Sequence, residues 1–326
     1  MVDVMYALVL TLLGVALLTS TLADLALTLL HPSRRGPFTW PISHAVYWFT
    51  HALAKRRADP HSVLSFAGPL AMAAHMGVWV FGCWMGYTLI YLGHIDSFTS
   101  TAAFGDHGLL EAMYISGVSL TTIGFGDIVA GTDALRLVTT LEGGTGFVVI
   151  SGSISYMLSV YPKVSQMRCS AARMFDSDSL SPQGAHRFIV SGRSAELSQL
   201  HRDLVEAQQD LKRFPVLALF HPTDVRESLS TLFEGAFWVS SQLRWQTSST
   251  DLPYAPFYAQ ALHSALAAIM DELGVHLTLR GHPPTILAVD AATDTPEAFE
   301  RRAREFMRAL SAAHHEERRP ADPGQT

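Results

Sequence analysis

Three long apolar runs, almost free of charge, constrain what this chain can fold into more than anything else in it. The first extends from Val4 to Leu30 with one charge, Asp24; the second from Gly68 to Leu92; the third from Ala134 to Tyr161, with Arg136 and Glu142 as its charges. Each exceeds the roughly 20 residues that a helix needs to cross the hydrocarbon of a bilayer. Inside lipid every backbone N–H and C=O must be satisfied within the segment, which leaves helices as the form these runs take. No Lys or Arg precedes the first run and its apolar part is too long for a secretory signal, so it reads as a span.

Composition points the same way. Of 326 residues, 48% are hydrophobic and 16% charged, against about a quarter charged in ordinary soluble domains, which suits a membrane protein with a soluble part. A net charge of −6, without a basic stripe interleaved with aromatics, excludes a nucleic-acid binder. The two cysteines, Cys83 and Cys169, make no disulfide framework and no metal spacing. Among 15 scattered histidines the one adjacent pair is His314-His315 in a polar tail, where metal binding would rest on a short histidine tract alone. No nucleophile, metal cluster or acid–base pair marks an enzyme, and no organic cofactor is expected.

Loop charges set the orientation. Residues 31 to 67 carry Arg34, Arg35, Lys55, Arg56 and Arg57, whereas residues 93 to 133 carry no Lys or Arg but do carry Asp96, Asp106, Glu111, Asp127 and Asp133. The positive-inside rule puts the first connection in the cytoplasm and the second outside. Lys163, Arg168 and Arg173 after the third run are then internal, the amino terminus is external, and the expected location is the cell inner membrane. Within the first connection, Ile42 to Arg57 mixes Val46, Tyr47, Trp48, Phe49 and Leu53 with a basic end. Two readings are open for it: an interfacial helix with its rings at headgroup depth, or an amphipathic helix packed on protein.

Between the second and third spans, Leu109 to Leu120 is apolar but only about 12 residues long, short of spanning length and consistent with a re-entrant helix. It leads directly into Thr121-Thr122-Ile123-Gly124-Phe125-Gly126-Asp127. Non-helical backbone at membrane depth has to be buried in protein or line a watery cavity. Glycines let such a backbone adopt dihedrals that other residues avoid.

This segment resembles the selectivity filter of potassium channels, whose TVGYG loops surround the pore fourfold and replace the ion's water with backbone carbonyls. Ile123 stands for Val and Phe125 for Tyr. The resemblance implies that the Thr122 hydroxyl and the carbonyls of Thr122, Ile123, Gly124 and Phe125 form the K+ rings, with Gly126 completing the loop and Thr121 and Asp127 flanking it. It extends to Gly146, nineteen residues past Asp127, where family members commonly carry an inner-helix hinge glycine. Gly143 and Gly144 precede it, and hinge and close-packing roles are both open.

The family comparison also exposes departures. Phe125 lacks the hydroxyl by which many filters tie a tyrosine to surrounding rings. Val118 stands where some bacterial channels hold a buried carboxyl. Tyr114 occupies a pore-helix position from which some channels donate a hydrogen bond to the filter aspartate, so a Tyr114–Asp127 bond is expected. Glu142, one helical turn before Gly146, is an ionisable residue at membrane depth and a functional candidate by default. It either faces the cavity and attracts cations or packs behind the filter in neutral form, the second being favoured. Asp24 reads as a helix-pairing or snorkelling residue.

Over residues 68 to 160 the chain resembles bacterial potassium channels with two pore-forming helices, here with an extra amino-terminal helix. The implied protein is an all-α membrane protein with three transmembrane helices, a re-entrant pore helix and a filter loop, followed by a mainly helical cytoplasmic domain. Its parts are residues 1–30, a transmembrane helix; 31–67, a cytoplasmic linker; 68–161, the pore domain; 162–315, the cytoplasmic domain; and 316–326, a disordered tail. One filter per chain implies a homotetramer in membrane lipid, passing K+ passively. The alternative is a membrane-anchored sensor with a non-conducting pore.

The spans lack the repeated arginines of a voltage sensor, and the last part lacks the glycine fingerprint of a dinucleotide-binding domain. Helical patterns are expected at 195–211, 224–243, 257–273 and 296–313, the last with Thr295 as N-cap, and a short strand at 285–289. The aromatics Phe220, Phe233, Phe237, Trp238, Trp245, Tyr254, Phe257 and Tyr258 fit a core. A pocket for an unidentified cytoplasmic ligand is the other use for them.

Overall fold

The computed structural model describes residues 2–30, 36–57, 60–100, 108–191, 194–245 and 253–277. The expected strand at 285–289, the helix at 296–313, the tail and the His314-His315 pair lie outside these residues. The chain divides into two compact units, one of residues 1–45 and 70–159 and one of residues 46–69 and 160–326.

The first unit holds the membrane-like segments. Helix α1 (Val2–Leu30) buries Gly14, Leu18, Thr21, Asp24 and Leu25, a stripe at three- and four-residue spacing. Its other face, including Leu8, Leu12, Leu13 and Val15, stays exposed, as lipid contact requires. Helix α2 (Thr39–Ala54) begins in this unit, α3 is one short turn at Pro60–Leu64, and α4 spans Ala67–Leu92. Helices α1 and α4 run antiparallel, and the small residues Gly82 and Gly86 of α4 let α1 approach. A side chain at Gly86 would strike Leu18, and one at Gly82 would strike Thr21, the close packing that small-xxx-small sequences allow.

Asp24 is the polar hub of this packing. It is fully buried, and its Oδ1 accepts the N–H groups of Phe38 and Thr39 at 2.7 and 3.1 Å while Oδ2 accepts Trp79 Nε1–H at 2.8 Å. The carboxyl of α1 thus caps the first turn of α2, satisfying orphan N–H groups at the positive end of a helix dipole.

Strand β1 (Phe98–Ser100) follows, then α5 (Leu109–Leu120), β2 (Ile128–Ala130) and α6 (Asp133–Asp176). The two strands pair antiparallel, with Thr99 opposite Val129. These three-residue strands have no counterpart in the all-α sequence reading, because each is too short for an alternating pattern to register. They bracket α5 and the loop that follows it.

Helices α1, the stretch Ser62–Leu92 and α6 are each long and apolar enough to cross a membrane. The protein is a membrane protein. Helix α6, however, has 44 residues and a length of roughly 66 Å, about twice the hydrocarbon thickness. Helix α6 runs unbroken through Pro162, the residue after which the sequence places the start of a soluble domain. The proline removes one backbone hydrogen bond, but Val160 before it and Val164, Ala171 and Met174 beyond it are buried, a stripe that keeps the segment helical.

The second unit is a helical bundle that includes the end of α6. Helix α7 (Pro182–Ser191), which the sequence reading does not foresee, is followed by α8 (Ser194–Arg213), α9 (Leu229–Trp245) and α10 (Ala255–Leu277). The predicted helix at 224–243 begins instead with a separate 3-10 turn at Val225–Glu227. Helix α9 packs against both α7 and α10 and is buried almost all round, Phe233 and Phe237 included. Helix α8 buries Leu197, Leu200, Leu204, Ala207 and Leu211, a seam with heptad spacing. Its polar side meets the end of α6 through Lys163–Asp210 at 3.2 Å, Gln166–Glu206 and Arg173–Asp203. Partner numbers fall along α8 as they rise along α6, so the two segments are antiparallel.

Candidate functional site

The site is built by α5 and the loop that leaves its carboxy-terminal end. Leu109–Leu120 has the helical bounds expected of the re-entrant segment, and its carbonyl end, the negative pole of its dipole, adjoins the loop. Thr121 N–H and Oγ1–H both donate to the Gly117 carbonyl, at 3.1 and 2.6 Å. Thr122 N–H donates to Ser119 O at 3.0 Å, and the N–H groups of Ile123 and Gly124 converge on Val118 O at 3.0 and 3.3 Å. Val118 therefore supports the loop with its carbonyl oxygen, its side chain having no polar group to give.

The loop backbone alternates in hand. Thr122, Gly124 and Gly126 have φ of 60, 61 and 76°, while Ile123 and Phe125 are not among the positive-φ residues. A backbone that alternates between right- and left-handed residues sets successive N–H groups on one side, leaving the carbonyls to the other. Here the N–H side is anchored to α5. Thr122 has no glycine's freedom, and a non-glycine residue held in the left-handed region costs of order 1–3 kcal/mol, a strain that clusters at functional sites. The side chains of the loop face outward, Ile123 being 57% and Phe125 67% exposed in the single chain.

At the far end of the loop, Tyr114 Oη–H donates to Asp127 Oδ2 at 2.7 Å, and Ile128 N–H donates to Asp127 Oδ1 at 3.1 Å. Behind α5 lies Glu142. It is fully buried and accepts Tyr91 Oη–H on Oε2 and Ser116 Oγ–H on Oε1, both at 2.5 Å. One carboxyl thus ties together α4, α5 and α6. Trp84 adds to the same seam, donating from Nε1 to Met113 O at 2.9 Å, with its own carbonyl 3.0 Å from Ser116 Oγ. Tyr87 Oη and Thr145 Oγ1 meet at 3.0 Å.

Of the three inner-helix glycines, Gly146 stands closest to α5. A Cβ there would lie 1.8 Å from Leu120 O, whereas at Gly143 the nearest atom is Ser119 O at 3.6 Å and at Gly144 nothing lies within 4 Å. Helix α6 runs unbroken through all three. Tyr91, Trp84 and Ser116 are the participants that the sequence reading passes over. A hydroxyl in the apolar α5 and a tyrosine at the penultimate position of α4 are the signals they offered.

Residues 74–162 match the family described as ion channel. These bounds take in Tyr91, all of α5, the loop, Glu142 and Gly146. The match ends at Pro162, where α6 turns from apolar to charged. An uncharacterized membrane protein of Bacillus subtilis (strain 168), YdjJ, is 30% identical over 223 residues, 66% of this chain and 64% of that protein. The chain thus spans somewhat less than two thirds of that relative's length. No solved structure matches the chain.

Among the described residues no group of three or more His, Cys, Asp or Glu side chains comes together. In the second unit a small, partly open cavity of about 30 Å³ is lined by Val164, Met167, Phe220 and Leu229, with Arg168 and Glu227 also in its walls. Of the aromatics noted from the sequence, Phe220 alone lines it.

Proposed function

We propose that the ion channel domain is a potassium-selective pore, formed by four copies of this chain and permeated passively by K+. The observation that carries this reading is the alternation of left-handed φ at Thr122, Gly124 and Gly126 together with N–H groups tied back to α5. Such a backbone presents carbonyl oxygens as a stack, and four stacks around an axis replace an ion's hydration shell. The carbonyls of Thr122, Ile123, Gly124 and Phe125 supply the rings, and Thr122 adds its hydroxyl. The exposure of Ile123 and Phe125 in one chain supports the tetramer, since irregular backbone at membrane depth requires protein or water around it.

The amino terminus is external and the second unit cytoplasmic, in the inner membrane, as the loop charges direct. Because one continuous helix, α6, bears both Glu142 behind the loop and Arg173 in the helical bundle, rearrangement of the bundle modulates gating. The test is K+ flux from liposomes containing the purified full chain, with Ba2+ block and Na+ exclusion as controls. Selective, Ba2+-sensitive flux is the expected result; absence of flux, or equal passage of Na+, overturns the reading. Crosslinking should stop at four chains, and a dimer as the largest species refutes the tetramer.

A further inference from the structure

We propose that the carboxy-terminal half of α2 and the basic residues after it bind anionic lipid headgroups. The helix is amphipathic with an unusual distribution. Val46, Thr50, His51 and Ala54 are buried, while the opposite face exposes Trp48 (48%) and Phe49 (62%) along with Ala52. Phe66, just before α4 begins, is 68% exposed. An outward face of large aromatics would be poorly placed in water, but rings of this kind seat well at the headgroup boundary.

The same face ends in three consecutive cations. Lys55, Arg56 and Arg57 are all exposed, and among the described residues no carboxylate pairs with them. Their backbone N–H groups continue the last turn of α2, bonding to the carbonyls of His51, Leu53 and Ala54, so they cluster at the negative end of the helix dipole. Aromatic rings followed by unpaired cations match an acyl boundary followed by a layer of phosphate charge.

Connectivity holds this surface near the bilayer. Helix α2 lies between the span ending at Leu30 and the one starting at Ser62. Arg57 is five residues before Ser62, and an extended chain of that length reaches at most about 18 Å. The cations therefore cannot leave the neighbourhood of the membrane surface, where anionic lipid is the available source of negative charge. The surface serves as an anchor that fixes the connection between the first two spans and makes the protein sensitive to headgroup charge.

The test uses the full chain in phosphatidylcholine vesicles that contain a minor fraction of either brominated phosphatidylglycerol or brominated phosphatidylcholine. The Trp48 contribution to fluorescence is isolated by subtracting the Trp48→Phe variant. Stronger quenching of Trp48 by the brominated phosphatidylglycerol is expected. In the combined Lys55→Ala, Arg56→Ala, Arg57→Ala variant the preference for phosphatidylglycerol at this site should fall by roughly 100-fold, three surface cations acting together, while quenching by brominated lipid persists. If Trp48 of the unmutated chain is quenched by neither lipid, protein covers the face and the proposal is wrong. Equal quenching by both overturns the headgroup preference. Neither readout involves ion flux, so the proposal stands or falls separately from conduction.

Discussion

Gly146→Ala separates a packing role from a hinge role at the point where α6 meets the end of α5. An added Cβ would sit 1.8 Å from the Leu120 carbonyl oxygen and 2.8 Å from its carbon. Both are backbone atoms, so no side chain can rotate away. To reach even 3.0 Å, the shortest separation a real Cβ tolerates, α6 and α5 must part by more than an ångström. Overpacking of this kind costs about 1–3 kcal/mol, and for a protein of this size a loss of about 2 kcal/mol corresponds to a melting midpoint lower by roughly 3 °C.

Because Leu120 precedes Thr121 and the loop N–H groups hang from Val118 and Ser119, the displacement passes into the proposed filter. Gly144→Ala is the matched control, since nothing lies within 4 Å of its Cβ and alanine favours helix by about 1 kcal/mol. Thermal unfolding of both purified variants, followed by K+ over Na+ flux in liposomes, should show Gly146→Ala less stable and less selective and Gly144→Ala close to the parent. If both variants melt with the parent and Gly146→Ala alters only the fraction of time spent open, the contact argument fails and a hinge explains the glycine.

Three further outcomes follow from the same geometry. Glu142→Gln keeps the shape and most of the bonding to Ser116 and Tyr91 and should leave K+ flux nearly intact, whereas Glu142→Ala strands the buried Tyr91 hydroxyl, at about 1–3 kcal/mol, while Ser116 keeps the Trp84 carbonyl, and should lower the melting midpoint; a large loss of flux in Glu142→Gln would place the carboxyl in the conduction path instead. Tyr114→Phe removes the 2.7 Å bond to Asp127 and should speed inactivation in single-channel records; unchanged kinetics would sink the idea that this bond steadies the loop. Asp210 is buried against α6, and burial pushes its carboxyl above the ordinary aspartate range despite the Lys163 ammonium at 3.2 Å. A raised folded-state value means that stability is full below the ordinary aspartate pKa of about 3.9 and declines as pH rises through the folded value. The melting midpoint of Asp210→Asn should therefore vary less with pH over that interval than that of the parent, and parallel curves would contradict it.

Much of the membrane part was legible because its signals are local. A run of apolar residues long enough to cross lipid declares a helix regardless of its neighbours, and α1, α4 and the start of α6 lie close to the expected bounds. Leu109–Leu120 was equally readable, and the glycines at 124 and 126 marked where the backbone turns left-handed. Thr122 carried no such mark, its positive φ being imposed by the hydrogen bonds around it. In the bundle, α8 declared itself through its heptad seam. Helix α7, with Gly184, His186 and Ser191 in ten residues, did not, because its stability comes from packing on α9 rather than from propensity.

What the sequence by itself determined, then, was the number of spans, the short helix between the second and third, and a loop whose residue types suit ion coordination. Tertiary structure alone decided that Glu142 joins Tyr91 and Ser116, that Asp24 caps α2 from another helix, that Gly146 touches Leu120, and that α6 runs on through Pro162. The physical reason lies in range. Lipid burial and backbone dihedral preference act on neighbouring residues and leave a periodic trace, whereas a hydrogen bond between residues 26 or 51 positions apart depends on two helices being brought side by side, and no local pattern records where that contact falls.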